Sequence, residues 1–414
     1  MKYRISISVI TVLLLAVSSM IIPPLDIGSA EEDKIRWDEA NKIGPGRYLS
    51  SDIDEGKIYL YGDILAQSLD NGESWNFRYS DGHYEVEEGM IYRIRENGTS
   101  IYGKTIQFCK SENIRKEWTE SVEVLSLKGN SDGIYGIQKI DSDLFVYSYD
   151  EYQGAWSIKV SRSTDDGKTW SEPSTVASRL SMNDPYASGI IRFKNKLYLS
   201  YYTETIGGGG NIVVTMSRDN GISWNEKVTV VDKGLNFNPL LKTNGERLFI
   251  TYLKLGGVYF TKSSDGTDWS TPKRIGDFID FTDPNHYYTM TVRKQLIFVG
   301  YMKYNEMKDS FDLKISYSSD NGNSWDKLND PMGMNGNAMR PILRINNRTL
   351  HFFWVYMGEN DLSNQNFEQY HRSAEIGELF EKKSEDSPGF SIIVFLTVVI
   401  TLSLIIIRRK VDKN

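Results

Sequence analysis

Apolar and polar positions alternate through most of the chain in short runs broken by polar turns. Ile190-Ile191-Arg192-Phe193, then Lys194-Asn195-Lys196, then Leu197-Tyr198-Leu199-Ser200-Tyr201-Tyr202 read as a strand, a turn and a second strand. Asn211-Ile212-Val213-Val214-Thr215-Met216 and Lys227-Val228-Thr229-Val230-Val231 supply a third and a fourth. A period near two between turn residues marks strands rather than helices. The same order recurs around residues 247–252 and 295–302, with alternation visible in each. Only the two ends depart from it. Residues 5–22 and 390–407 are apolar throughout apart from a few Ser and Thr.

A cassette punctuates the strands. Residues 68–75, 163–170, 217–224 and 318–325 each read Ser-x-Asp-x-Gly-x-x-Trp or its near equivalent. Residues 263–269 carry a version one residue shorter, and residues 111–118 a decayed sixth copy with Asn113 in the Asp position. The chemistry is that of a turn. Asp and Asn accept hydrogen bonds from nearby backbone N–H groups, and Gly takes a positive φ at little steric cost. The Trp then opens the next strand with a large apolar face. Recurrence of one hairpin unit every ~45–55 residues is the signature of a repeat architecture.

The cassette is that of the Asp box, or BNR repeat, and the chain resembles the sialidase superfamily over residues 34–378. The resemblance implies an all-β fold: a single β-propeller of four-stranded blades, with each box between the third and fourth strands. Six units carry a box. A seventh, over residues 339–345, 349–357 and 369–376, has none and lacks a fourth strand. Lys34-Ile35-Arg36-Trp37 at the other end of the chain is expected to supply it, which closes the ring and removes exposed strand edges. Seven blades is the expected number. Six is the alternative, because the first two units are short.

The ends suggest domains at 1–30 (signal peptide), 31–378 (propeller), 379–388 (linker), 389–410 (transmembrane anchor) and 411–414 (cytoplasmic tail). A basic start, an apolar middle and a small-residue exit form a secretory signal. About 18 apolar residues at 1.5 Å each span roughly 27 Å, enough for a bilayer core. Pro388-Gly389-Phe390 ahead of that run, with Arg408-Arg409-Lys410 after it, resembles the PGF-CTERM sorting signal of archaeal surface proteins. These features predict an exported propeller, anchored at the cell surface, with the membrane as one partner and an extracellular glycan or glycoprotein as another. One cysteine, Cys109, excludes an internal disulfide framework. The net charge of −7 with no long basic block argues against nucleic acid. Four scattered His give no zinc spacing, and no cofactor or metal is expected.

Topology sorts the polar residues. The box aspartates Asp70, Asp165, Asp219, Asp265 and Asp320 are read as structural. The opposite end of the ring gathers Asn183, Asp184, Tyr186, Asn238, Asp283, His286, Tyr287, Asn337 and Arg340. Such groups suit sugar hydroxyls; the same Asn/Asp-Pro pairs also start turns before strands. A retaining sialidase needs Arg groups to hold the substrate carboxylate, an acid/base carboxylate and a nucleophilic Tyr. On that pattern Asp184 and Asp283 are candidate acid/base groups and Tyr287 a candidate nucleophile. Arg340 and Arg47 would hold the substrate, with Asn183, Tyr186, Asn238, His286 and Asn337 around it. The sequence departs from the family pattern in one respect. The Phe/Tyr-Arg-Ile-Pro motif is matched only by Tyr92-Arg93-Ile94-Arg95, after the first box rather than before it. Two functions therefore stand: a retaining exo-glycosidase, or a non-catalytic propeller that binds glycans or a protein.

Overall fold

The computed structural model describes residues 35–381 apart from 47–48, 55, 63, 81, 100–102, 128–134, 153–154, 181–186, 205–209, 233, 235, 255, 278–287, 306, 308–309, 329–330, 335–336 and 357–366. The chain divides into two units, Met1–Arg36 and Trp37–Asn414, and the strands lie in the second. They form seven antiparallel four-stranded sheets. The seventh blade takes its outermost strand, β1 (Asn41–Pro45), from the start of this unit. The first blade is β2 (Leu49–Asp54), β3 (Lys57–Gly62), β4 (Ile64–Ser68) and β5 (Asn76–Tyr79). The second is β6 (His83–Glu87), β7 (Met90–Thr99), β8 (Gly103–Ser111) and β9 (Val122–Leu127). The third is β10 (Tyr135–Ile140), β11 (Asp143–Tyr152), β12 (Ala155–Ser163) and β13 (Ser174–Leu180). The fourth is β14 (Ala187–Phe193), β15 (Lys196–Glu204), β16 (Gly210–Ser217) and β17 (Glu226–Val231). The fifth is β18 (Asn236–Thr243), β19 (Leu248–Lys254), β20 (Gly257–Ser263) and β21 (Lys273–Asp277). The sixth is β22 (Tyr288–Arg293), β23 (Leu296–Asn305), β24 (Ser310–Ser318) and β25 (Asp326–Leu328). The seventh is β26 (Ala338–Asn346), β27 (Thr349–Tyr356) and β28 (Glu368–Glu375), completed by β1.

The first strands meet one another in cyclic order, β2, β6, β10, β14, β18, β22, β26 and back to β2. That closed succession is a seven-bladed propeller, and it decides between seven and six. The fourth strand of the last blade is not the expected one. Trp37 makes only an isolated bridge to Ala374, while β1 runs antiparallel to β28, with Asn41 opposite His371. Pro45 is tolerated there because β1 is an outer strand and one side of it needs no ladder bond.

Each sheet is packed between two others, so its inner strands lose their polar face. In β19, six of seven residues are buried, whereas the outer β17 alternates between exposed and half-buried positions. The apolar clusters accordingly draw on neighbouring blades in pairs. Phe145, Ile158 and Val160 of the third blade pack with Leu197, Leu199 and Trp224 of the fourth. Every box lies between the third and fourth strands, as the resemblance implied. In the five intact copies the Gly N–H donates to the box Ser Oγ at 2.8–2.9 Å. The Asp Oδ1 accepts a following backbone N–H at 2.8–2.9 Å.

The expected membrane anchor is corrected. Among the described residues no helix is long and apolar enough to cross a membrane, and the helix α1 (Gly377–Glu381) has five residues. Residues 1–30 and 389–410, where the signal and the anchor were placed, lie outside the described residues. The sorting-signal resemblance, the membrane as a partner and anchoring in the plasma membrane fall with that anchor.

Candidate functional site

The boxes and the turns joining first to second strands share one end of the ring. The other end, where the first strands begin, is the mouth of the central lumen. Three first strands are irregular there. The pairing of β14 with β15 slips between Ala187 and Ile190, that of β18 with β19 between Phe237 and Leu240, and that of β26 with β27 between Met339 and Ile342. Each slip adds one residue to the first strand, which is a β-bulge, a device that re-aims side chains. In two of the three the bulge holds a non-glycine residue in the left-handed region: Asn238 at φ 48° and Arg340 at φ 55°, each followed by proline. Such a conformation costs on the order of 1–2 kcal/mol and persists only where the surroundings over-determine it. Gly189 takes the same role at φ 87° in the fourth blade.

Arg340 is half-buried. Asn238 is 2% exposed; its carbonyl accepts the Tyr288 hydroxyl, and its Nδ2 has no partner among the described residues. Asn337 is also buried, and its Oδ1 accepts the Phe311 N–H at 2.9 Å, tying the mouth to the start of β24. The remaining expected residues, Arg47, Asn183, Asp184, Tyr186, Asp283, His286 and Tyr287, lie outside the described residues. Arg93 of the partial motif is not at the mouth. It is buried in β7, donates to Cys109 Sγ at 3.1 Å and lies 4.2 Å over the Trp118 ring.

The lumen holds a second constellation that the sequence did not reveal. One position of each first strand pairs with the residue just after a buried Ile or Leu near the start of the second strand: Asp52 with Tyr59, Glu85 with Tyr92, Gln138 with Phe145, Ile191 with Tyr198, Lys242 with Phe249, Thr291 with Phe298 and Arg344 with His351. These seven residues form one tier. Four are charged, two acids and two bases. Lys242 of the fifth blade feels Asp52 of the first and Glu85 of the second, blades that are not its neighbours, so the interaction runs across the axis. Four of the seven also grip the next blade. Arg344 Nε donates to the Ser51 carbonyl at 2.8 Å, Asp52 accepts the Val86 N–H, Glu85 accepts the Lys139 N–H, and Gln138 accepts the Ile190 N–H.

All four charged side chains are half-buried by exposed area, yet protein surrounds them, as in a narrow wet channel. Burial raises Glu85 well above the usual carboxylate range, and the nearby Asp52 raises it further. Burial also lifts Asp52 against the pull of Arg344, and depresses Lys242. Tyr61 donates its hydroxyl to Asp52 and is itself pushed well up by burial. Two residues nearer the mouth on β6, His83 is exposed but ringed by protein, and burial lowers it to about 4. Among the described residues no group of three His, Cys, Asp or Glu is placed to hold a metal ion.

A closed ring of seven four-stranded sheets, pinned by Ser-Asp-Gly-Trp turns and open at a bulged polar mouth, defines an Asp-box propeller. The family profile described as "BNR repeat-like domain" matches residues 105–330, more than half of the chain, and the chain belongs to that family. No curated protein sequence matches it. Solved structures similar to it include a protein of unknown function from Dyadobacter fermentans, at 14% identity and TM-score 0.47 over 83% of this chain and 99% of that one. An α-L-arabinanase of Penicillium chrysogenum complexed with arabinobiose is similar at 13% identity and TM-score 0.48 over 83% and 99%. A Trypanosoma rangeli sialidase in complex with the inhibitor DANA is similar at 11% identity and TM-score 0.45 over 74% and 57%. The fold assignment rests on the seven sheets themselves.

Proposed function

We propose that the propeller binds a glycan or glycoprotein sugar at the mouth and cleaves a glycosidic bond there as a retaining exo-glycosidase. The observation that carries this reading is Arg340, held left-handed on a bulge before Pro341 at the rim of the lumen. A guanidinium fixed on a strand, rather than on a loop, suits bidentate capture of a sugar carboxylate or of paired hydroxyls. Asn238 Nδ2, a buried donor without a partner among the described residues, suits a substrate oxygen. In this reading Asp184 or Asp283 supplies the acid/base carboxylate, Tyr287 the nucleophile, and Arg47, Asn183, Tyr186, His286 and Asn337 further contacts.

A panel of chromogenic glycosides that includes sialosides and arabinofuranosides tests it. Hydrolysis is expected, with kcat down about 100-fold or more in Asp184→Asn or Asp283→Asn and KM raised in Arg340→Ala. The second reading is a non-catalytic glycan-binding propeller. It is favoured by the described carboxylates of the lumen, Asp52 and Glu85, which are engaged with backbone N–H groups of the next blade rather than presented at the mouth. Absence of turnover, with saturable glycan binding that Arg340→Ala abolishes, would select it.

A further inference from the structure

The seventh blade joins the two ends of the propeller sequence, and it carries two buried histidines. By register, His351 holds the place of Tyr59, Tyr92, Phe145, Tyr198, Phe249 and Phe298 in the other blades. His371 lies opposite Phe353 in the third strand. The equivalent third-strand residues elsewhere are Leu65, Phe108, Val160, Val214, Phe260 and Ile315. All of these are buried. The seventh blade thus puts two imidazoles where every other blade puts an aromatic or aliphatic side chain.

His371 touches each part that closes the ring. Its backbone pairs with Asn41 of β1, in a short ladder that slips between Lys42 and Gly44 and ends at Pro45. Its ring lies against the cassette of the first blade, where a Cβ on Gly72 would come within 2.3 Å of it. Trp75, whose indole N–H donates to the Gly72 carbonyl at 3.1 Å, meets the same ring edge-on at 6.2 Å. Phe353 stacks on it at 4.7 Å. The two imidazoles share one hydrogen bond, between His351 Nδ1 and His371 Nε2. Their outer nitrogens, His351 Nε2 and His371 Nδ1, are buried and have no hydrogen-bond partner among the described residues. One added proton therefore places a charge in a dry interface, and a second sets two N–H groups against each other.

We propose that this pair is an acid-sensitive latch: protonation parts β28 from β1 and the seventh blade from the first, opening the ring at its seam while the second to sixth blades keep their sheets. The charged groups around the pair do little to hold the added proton. Asp38, ahead of β1, favours the charged form of His351, but its carboxylate already accepts the Ser373 hydroxyl at 2.6 Å. On β28, Arg372 donates to the Asp38 carbonyl and lies 5.8 Å over the Trp37 ring. On β1, Lys42 is paired with Glu368. Arg344 of β26 opposes His351 in the ladder and donates to the Ser51 carbonyl of the first blade at 2.8 Å. In the cassette, Asp70 is bonded to Ser68 and Ser74 of its own turn, and Glu73 is exposed. In the closed ring burial holds His351 at about 4 and His371 at about 3, whereas an opened ring frees both to bind protons near pH 6.5. Opening therefore becomes easier as the pH falls below 6.5, by up to about tenfold per pH unit for each His.

The test is hydrogen exchange of the full chain, read by mass spectrometry at about pH 7 and about pH 5 and corrected for the intrinsic pH dependence of exchange. Protection of β1 and β28 is expected to fall roughly tenfold or more on acidification. That of β15 and β16, in the fourth blade, should change less than about threefold. The double variant His351→Phe/His371→Phe copies the Phe249 and Phe260 of the fifth blade, whose Phe260 already lies against a cassette glycine, Gly322. It should keep the protection of β1 and β28 at the lower pH. Its melting temperature at neutral pH shows whether it folds as its parent does. If it melts lower, His371→Phe alone should remove about half of the acid effect on a logarithmic scale. No loss at β1 and β28, or a loss that β15 and β16 share in full, overturns the proposal. A loss that persists unchanged in the Phe variants overturns it as well.

Discussion

His351 and His371 face each other in the seventh blade, with Nδ1 and Nε2 3.0 Å apart and rings stacked at 5.3 Å. Both are buried, and burial lowers them to about 4 and about 3. In the folded chain they are neutral; in the unfolded chain they take up protons near pH 6.5. Stability from this pair is thus whole above pH 6.5 and falls as the pH drops toward 4, by roughly 1.4 kcal/mol per pH unit for each His. Denaturant midpoints measured across that range should show the slope, and His371→Gln should remove about half of it. The box aspartates act in a lower window. Hydrogen bonds from the Thr169 hydroxyl and N–H hold Asp165 at about 2, so its contribution is present above pH 4 and lost toward pH 2. Such residues differ in legibility. An Asp two places before a Gly announces its turn, whereas nothing in the local sequence of His351 says that a second His lies against it from 20 residues away.

The cassette was readable because its interactions are local: Ser, Asp, Gly and Trp meet within eight residues. Its tightest constraint is not local, since the space beside Gly167 is filled by Phe108 of another blade. Gly167→Ala should therefore cost about 2–3 kcal/mol in chemical denaturation, combining a strained φ with overpacking. Gly245→Ala, with φ 88° but open space around it, should cost about 1 kcal/mol. Equal losses would mean that backbone strain alone sets the requirement. The closing strand shows the opposite limit. Lys34-Ile35-Arg36-Trp37 has the apolar spacing of a strand, yet the ladder forms on Asn41–Pro45, a sequence with Gly and Pro and little intrinsic β preference. Pairing with β28 across the whole length of the molecule decides that position, and pairing is invisible to propensity.

In the whole molecule, alternation is ambiguous in one respect. Polar residues of the first strands, such as Asp52 and Glu85, follow the pattern of a solvated face, but in a closed ring that face is the lumen. Removing one charge there should unbalance the tier. Lys242→Met should lower the melting temperature, because two acids then remain opposite Arg344 alone, and the double variant Lys242→Met/Glu85→Gln should recover part of the loss. A double variant no better than the single would show that the charges act independently. The mouth was located from topology alone, while the lumen tier needed the register of all seven blades at once.

The sharing of the seventh blade between both ends of the chain sets an order on biosynthesis. A ribosome delivers β1 first of the strands and β28 last, so the earliest strand has no partner while the six intervening sheets are being made. Until β28 has been made, the nascent propeller is an open arc with two raw flanks. Sealing waits for that last strand, and a chaperone that shields the first segment would be guarding the clasp.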